Sequence, residues 1–377
     1  MQFLVKKIES KEVLWLQKTN RYLILEPFFM RVMNEMIKGL TKSELIDFCI
    51  YKLSFSAKKA KLIVDACWNI KQDNELEISK QVIFSEEELP AELEYISYTY
   101  SYNSKHLNVH YSNVALAERI HPKFKHLCKD FDLLSVFSGL ICVSEFRGLF
   151  YLQVNHRIIG KWLEYDFHFL LGKFAMALLN LYNNKSDIDW LAVLHASAVC
   201  KDDNALVFLG KSASGKTTST ALLSLNGFTL LADDFVPIES KSIKVASFPA
   251  AVSVKESLFY EFEAHFPEFK KSRLLTKDKR TKFKYLYPNS TKTQESKFVK
   301  TKALVFIKYT NNGDNKLLKI NQITALQKLI PDSWISPVKE NVVLFLDWME
   351  EVPCYELHYS DNKYLINISE KLMNDEH

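Results

Sequence analysis

Glycine is scarce in this chain, nine in 377 residues, and prolines number ten. That excludes collagen-like and Gly/Pro-rich low-complexity segments, and no internal repeat is visible. Any pattern that demands glycine at fixed positions therefore stands out against this background. Cysteine is also sparse and never paired in sequence: Cys49, Cys67, Cys128, Cys142, Cys200 and Cys354 stand singly, with no Cys-x-x-Cys. The spacing excludes a disulfide framework or a zinc site and predicts reduced, mostly buried thiols in a cytoplasmic protein. No stretch reaches 18 uncharged apolar residues, because the best run, Phe167 to Leu181, is broken by Lys173. The first ten residues have neither a sustained apolar segment nor a small-residue cleavage site. The expectation is a protein that is neither secreted nor membrane-spanning.

Charge of one sign is lacking overall, with a formal net of +4. It is unevenly placed. Lys270 to Lys302 holds twelve Lys/Arg against Asp278 and Glu295, a local net of +10 that leaves −6 for the rest. Such a segment reads either as a contact for an anionic partner or phosphate, or as a solvated basic loop. No nucleic-acid partner and no membrane partner are expected; a homo-oligomer is left open. At 47% hydrophobic and 25% charged the composition is that of ordinary globular protein, long enough for two or three domains.

Two of the few glycines fall five apart. Residues Leu206 to Thr217 run as an apolar strand into Gly210-Lys211-Ser212-Ala213-Ser214-Gly215-Lys216-Thr217, which fits G-x-x-x-x-G-K-[ST] at every fixed position. A chain of this length meets that pattern by chance roughly once in a hundred at ordinary residue frequencies. Thr218 to Leu225 reads as the following helix, whose first amides would hold the β-phosphate. The ligand class is a nucleoside triphosphate, ATP, with Mg²⁺.

Three regions are expected, 1–75, 76–160 and 161–377. In the first, Val13–Leu16 and Tyr22–Leu25 read as two strands around a turn at Lys18–Arg21. Pro27 opens a helix with Phe28, Val32, Met33, Met36 and Ile37 on one face, and Gly39 closes it. Thr41-x-x-Glu44 is a capping box for a second helix, and Ser56 starts a third. This order of elements, with the Lys/Thr/Asn turn and Arg21-Tyr-Leu-Ile-Leu, is similar to the peptide-binding domain of the pyrroloquinoline-quinone biosynthesis D family. The resemblance covers about seventy residues. It implies recognition of a leader peptide as an added strand on a sheet edge. A winged-helix or other small α+β domain has a similar order, and that alternative stays open. Residues 76–160 alternate strand-like runs (Glu77-Ile78, Val82–Phe84, Tyr95–Tyr100, Leu107–Tyr111, Leu140–Val143, Leu149–Leu152) and read as a β-rich middle lobe. The tyrosines 95, 98, 100, 102 and 111 suit packing faces. Phe167 to Tyr182 reads as an apolar helix.

From Leu191 to Cys200 the pattern is that of one strand, carrying His195. A strand at Thr229–Ala232 ends on Asp233-Asp234, the second of them eighteen residues past Lys216. In a phosphate-loop protein the carboxylate on the Mg²⁺ side belongs at such a strand end. A second, differently directed Asp offers a base for an attacking hydroxyl.

His195-Ala-Ser-Ala, Gly210 to Thr218, Gly227-Phe-Thr-Leu-Leu-Ala-Asp-Asp-Phe-Val-Pro-Ile and Ala250-Ala-Val-Ser-Val-Lys255-Glu together resemble the HPr kinase/phosphorylase-like family. That family shares its core with ATP-type phosphoenolpyruvate carboxykinase. The resemblance runs from about Trp190 to the end. It implies an α/β C-terminal domain with a P-loop kinase/carboxykinase-like core, beside the small α+β N-terminal domain and the β-rich lobe. It further implies that Lys216 contacts the β/γ-phosphates and that Thr217 and Asp233 serve Mg²⁺. Asp234 would be the general base, and His195 would face the transferring phosphate; on its own residues His195 reads as a core histidine. Lys255, and Lys284 in the run before Pro288, match basic positions that would neutralise the phosphoryl group, or are surface lysines. The chain departs from its relatives at Ala213, where a further glycine is common; alanine suits that place if φ is negative. The docking signature of true HPr kinases and the arginine-rich site of a carboxykinase are not found.

The activity so implied is an ATP- and Mg²⁺-dependent kinase acting on a Ser or Thr hydroxyl of a peptide or small protein. Two alternatives stand beside it: an ATP-binding module that presents a peptide without transfer, and a kinase of a free small molecule such as an amino acid.

Overall fold

The computed structural model describes residues 3–75, 94–128, 137–277, 281–287, 297–311 and 313–376. The expected strands at Glu77-Ile78 and Val82–Phe84 lie outside them. The chain divides into two compact units, Met1–Val82 with Ile320–Glu351, and Ile83–Lys319 with Val352–His377. Residues 320–351, expected within the 161–377 region, group with the N-terminal unit.

The N-terminal unit has three antiparallel strands, β1 (Phe3–Ile8), β2 (Lys11–Leu16) and β3 (Arg21–Leu25), in the order β1-β2-β3. Only β2 and β3 are legible as strands in the sequence. β1 carries Lys6 and Lys7 among its apolar residues, and its partner strand, not its own pattern, fixes it: Phe3 pairs with Leu16 and Ile8 with Lys11. Asn20 sits in the β2–β3 turn at φ +49°, and its Oδ1 accepts a bond from Trp15 Nε1 at 2.7 Å. Helix α1 (Pro27–Ile37) begins on the proline, whose missing N–H is unneeded in a first turn. Helix α2 (Lys42–Tyr51) carries the capping box, with the Thr41 backbone donating to Glu44 at 2.8 Å. Helix α3 spans Ala57–Glu75. Leu14, Leu16, Met33, Met36, Leu45, Cys49, Val64 and Cys67 are buried between these helices and the sheet. Helix Lys339–Glu351 belongs to this unit, and Lys6 is ion-paired with its Asp347 and Glu350.

The second unit opens with an antiparallel-rich sheet, β4 (Ile96–Tyr102), β5 (Lys105–Tyr111), β6 (Gly139–Phe146), β7 (Leu149–Val154) and β8 (Arg157–Trp162), in sequential order. Strands β5 and β6 are parallel, with helix α4 (Val114–Ile120) between them in the chain. Tyr100 and Tyr111 are buried side by side, hydroxyl to hydroxyl at 3.0 Å, so these tyrosines serve packing. Helix α5 spans Phe167–Asn183.

The large sheet follows: β9 (Trp190–Leu194), β10 (Ser197–Lys201), β11 (Asn204–Leu209), β12 (Thr229–Asp233), β13 (Val236–Glu239), β14 (Lys244–Ala246) and, further on, a twelve-residue strand at Phe298–Tyr309. That long strand is the spine. Its middle, Lys300–Phe306, runs parallel to β11, its first residues pair with β14, and its last with the C-terminal strand Cys354–Tyr359. Helix α6 (Lys216–Ser224) follows β11. Leu206, Phe208, Leu222, Leu223, Val305, Ile307 and Leu357 form a common buried cluster around α6 and these strands. Each such aliphatic side chain contributes about 1.5–3 kcal/mol by leaving water.

A smaller sheet pairs β15 (Val252–Lys255) with a strand at Thr281–Leu286. All six cysteines are free. No helix among the described residues is long and apolar enough to cross a membrane.

Candidate active site

The segment 191–200, expected as one strand, is two. Strand β9 pairs with β13, whereas β10 pairs with β11 and β12, so His195 and Ala196 carry the chain from one half of the sheet to the other. The reverse crossing is made by Asp234 and Phe235, between β12 and β13. Leu194 is opposite Val236 and Ser197 is opposite Asp233, so the two crossings lie side by side. Asp234 makes its crossing in the left-handed region, at φ +63°, a conformation asparagine and aspartate tolerate better than most residues. This register brings His195 and Asp234 into the same place. His195 is exposed there, so the reading of it as a core histidine fails.

Ser197 also stands opposite Phe208, near the end of β11, so the loop after β11 opens on the same sheet edge. In that loop Gly210 lies at φ +145° and a Cβ on it would be 2.6 Å from Ser214 Oγ and 2.8 Å from the Ile307 carbonyl. Gly215, at φ +107°, backs onto the Tyr359 hydroxyl and Tyr309. Tyr309 N donates to the Ser214 carbonyl at 2.9 Å, and Ser219 Oγ and the Tyr359 hydroxyl are bonded at 2.9 Å. The loop is thus seated on the ends of the parallel strands. The condition under which alanine would suit position 213 is not met: its φ is +65°. The loop demands the left-handed turn whatever residue fills it, and alanine pays a steric cost there. Lys211, Ser212 and Ala213 are exposed, while Lys216 is buried. Its ammonium donates to the carbonyls of Gly210 at 2.7 Å and Lys211 at 3.3 Å, inside the curl of the loop. Thr217 and Thr218 lie in the first turn of α6, and the helix's first amides are left to face the loop.

The two aspartates occupy different environments. Asp233 is 1% exposed. Its Oδ1 accepts bonds from Thr217 Oγ1 at 2.9 Å and from Ser197 Oγ, while its Oδ2 is buried without a partner. Burial, and next the charge of Asp234, push its carboxyl up to about 6, against the pull of Lys123 and the two hydroxyls. Asp234 is held below the usual carboxylate range. Burial acts to raise it, but the charges of Lys123, His195 and Lys216 outweigh that. Asp234 Oδ2 is 3.4 Å from Lys123 Nζ, with the Asp234 side chain 45% and the Lys123 side chain 27% exposed.

Lys123 carries no motif in the sequence and was not legible as a site residue; nor was Ser197. The two lysines singled out fare differently. Lys284 is turned away: it donates to Glu263 at 2.8 Å and to the Lys270 carbonyl at 3.1 Å, with its ammonium over the Phe259 and Phe269 rings. Its part is structural. Lys255, at the end of β15, is exposed and forms no ion pair among the described residues. Part of the basic segment is engaged within the fold. Lys271, Arg273, Lys282, Lys284 and Lys302 are ion-paired with Glu268, Glu118, Glu256, Glu263 and Asp375.

No family model matches the chain, and no curated protein matches it. Among solved structures, the Hpr(Ser) kinase/phosphatase from Coxiella burnetii is similar over 48% of this chain and 94% of its own. Identity is 9% and the TM-score 0.23, a likeness too slight to carry an argument about fold or chemistry.

The donor set suits a divalent cation beside a polyphosphate. Thr217 Oγ1 and the orphaned Asp233 Oδ2 are hard oxygen donors on adjoining side chains, the kind Mg²⁺ takes alongside phosphate oxygens. An unpaired carboxylate oxygen buried in protein is costly unless a cation or proton meets it.

Proposed function

We propose that this chain is a kinase with a phosphate-loop core, which transfers the γ-phosphoryl group of ATP to a hydroxyl, that of a Ser or Thr in a peptide or small protein. The observation that carries the reading is the division of labour between adjacent carboxylates beside the loop. Asp233 is buried on Thr217 with one oxygen orphaned, and Asp234 is half-exposed and held ionised.

Gly210 to Thr218 would cradle the phosphates with loop amides and the start of α6. Lys216 would exchange its loop carbonyls for phosphate oxygens. Thr217 and Asp233 would hold Mg²⁺, which when bound neutralises phosphate charge. Asp234 then accepts the acceptor's hydroxyl proton as that oxygen attacks the γ-phosphorus, and the bond from phosphorus to the bridging oxygen breaks, its electron pair leaving with ADP. His195, exposed at the same crossing, faces the transferred group. Lys255, unpaired, is free to approach it.

Delivery of the acceptor is assigned to the N-terminal unit, by addition of a peptide strand to its three-stranded sheet, in which β3 pairs with β2 alone among the described residues. Calorimetric titration with ATP tests the reading at its base. Mg²⁺-dependent binding by the full chain, lost in Lys216→Ala, is the expected result; binding indifferent to both Mg²⁺ and Lys216 sinks it.

A further inference from the structure

The site contains a cation that no motif announces. Lys123 ends the short helical turn His121–Lys123 after α4, far from the phosphate loop in sequence, yet its ammonium lies 3.4 Å from Asp234 Oδ2. No described bond engages the second carboxylate oxygen of Asp234.

The contact is built, not incidental. Lys123 is fixed at its backbone, where its carbonyl accepts from Ala251 N at 2.9 Å. Its neighbour Phe124 and Asp234's neighbour Phe235 both pack on the Phe248 ring, at centroid separations of 6.2 and 4.6 Å. Phe248 is itself buried and tied by its N–H to the Leu231 carbonyl at 2.9 Å. One aromatic cluster therefore sets the spacing between the segment that brings the lysine and the crossing that brings the carboxylate.

We propose that Lys123 is a positioning residue of phosphoryl transfer: it anchors Asp234 by one oxygen so that the other is presented to the acceptor hydroxyl, and it sets a fixed positive charge beside the transfer path. This rests on the kinase reading above. It fills the charge-neutralising place expected of Lys284, which the structure shows engaged with Glu263. A carboxylate held by one oxygen keeps its direction, and a base that holds its direction contributes through orientation. A base left to rotate loses turnover, not nucleotide affinity.

The test uses the full chain with Mg²⁺ and a fluorescent ATP analogue for binding, MgATP with a library of Ser- and Thr-containing peptides for ADP release, and thermal unfolding without nucleotide. Lys123→Met is expected to lower ADP release at saturating MgATP at least tenfold while the analogue's Kd stays within twofold. Lys123→Arg restores turnover to within about threefold of the parent. In an Asp234→Asn background the Lys123→Met change has no further effect on turnover, and the double variant unfolds at a higher temperature than Lys123→Met alone. The proposal is overturned if Lys123→Met turns over within twofold of the parent, if its loss appears only in Kd, or if the two substitutions act additively. A parent chain that binds no analogue, or binds it and releases no ADP, overturns the kinase reading and this role with it. A parent that binds and turns over, with Lys123→Met unchanged, overturns this role alone.

Discussion

The Thr217 hydroxyl, in the first turn of the helix after the loop, donates to Asp233 Oδ1 across 2.9 Å, while Asp233 Oδ2 beside it meets no partner. The bond orients the carboxylate, and the free oxygen is the one a cation would take. Thr217→Ala and Asp233→Asn are each expected to weaken Mg²⁺-dependent ATP binding about 10- to 100-fold, the usual cost of losing a ligand or the group that orients it. Titration of ATP with and without Mg²⁺ measures it; affinity without the metal should change little.

Ala213 holds φ at +65°, where a Cβ is strained and a glycine is not. Ala213→Gly relieves that strain while adding chain entropy to the unfolded state, and the first effect is larger at a positive φ. The variant should gain about 0.5–1 kcal/mol in denaturant unfolding. A loss of stability would mean the alanine methyl makes packing contacts that outweigh its strain.

Lys284 is 12% exposed and satisfies Glu263 and a backbone carbonyl from beneath two phenylalanine rings. Removing it leaves Glu263 part-buried and unpaired. Lys284→Met should cost about 2 kcal/mol of folding stability, with the Kd for MgATP unchanged. A weakened Kd with unchanged stability would return Lys284 to the phosphate site.

Acid should destabilise this protein earlier than its carboxylates alone require. Burial, with some help from Lys125, holds His121 down to about 4; burial does the same for His126, only partly opposed by a bond to Pro249. Each folded-state value is below that of an unfolded histidine, near 6.5. Between about 6.5 and 4 the unfolded chain therefore binds protons that the folded chain refuses, and stability falls as pH falls. Unfolding temperatures measured from pH 7 to 4.5 should drop. The drop should flatten in a His121→Asn, His126→Gln double variant, which keeps the bond His121 makes to Tyr100 and a bond to Pro249.

The loop was legible because its chemistry is local: Gly210, Gly215, Lys216 and Thr217 are needed at fixed spacing, and the strand and helix around them follow from apolar pattern and capping. Asp233-Asp234 was legible for the same reason, as a polar pair closing a strand. The crossing at His195 was not, because β9 and β10 are both buried and apolar, and a continuous apolar run has no mark where it changes partners. Lys123 was not legible because its meeting with Asp234 is made by tertiary packing on Phe248, across more than a hundred residues of chain. Lys284 misled for a related reason. Its neighbours in sequence suggested phosphate, and Glu263, twenty-one residues earlier, decided otherwise. The strand Phe3–Ile8 is held by its register with β2, which no local pattern carries.

The proposed phosphoryl transfer depends above all on Asp234 as its base. The direct measurement is the movement of labelled γ-phosphate from MgATP to a library of Ser- and Thr-containing peptides, by the full chain and by its Asp234→Asn variant. The account predicts label on peptide hydroxyls with the parent chain, and transfer at least about a hundredfold slower with the variant, whose MgATP affinity stays within a few-fold. Equal transfer by both chains, or a parent chain that binds MgATP and transfers nothing to any hydroxyl, would contradict it.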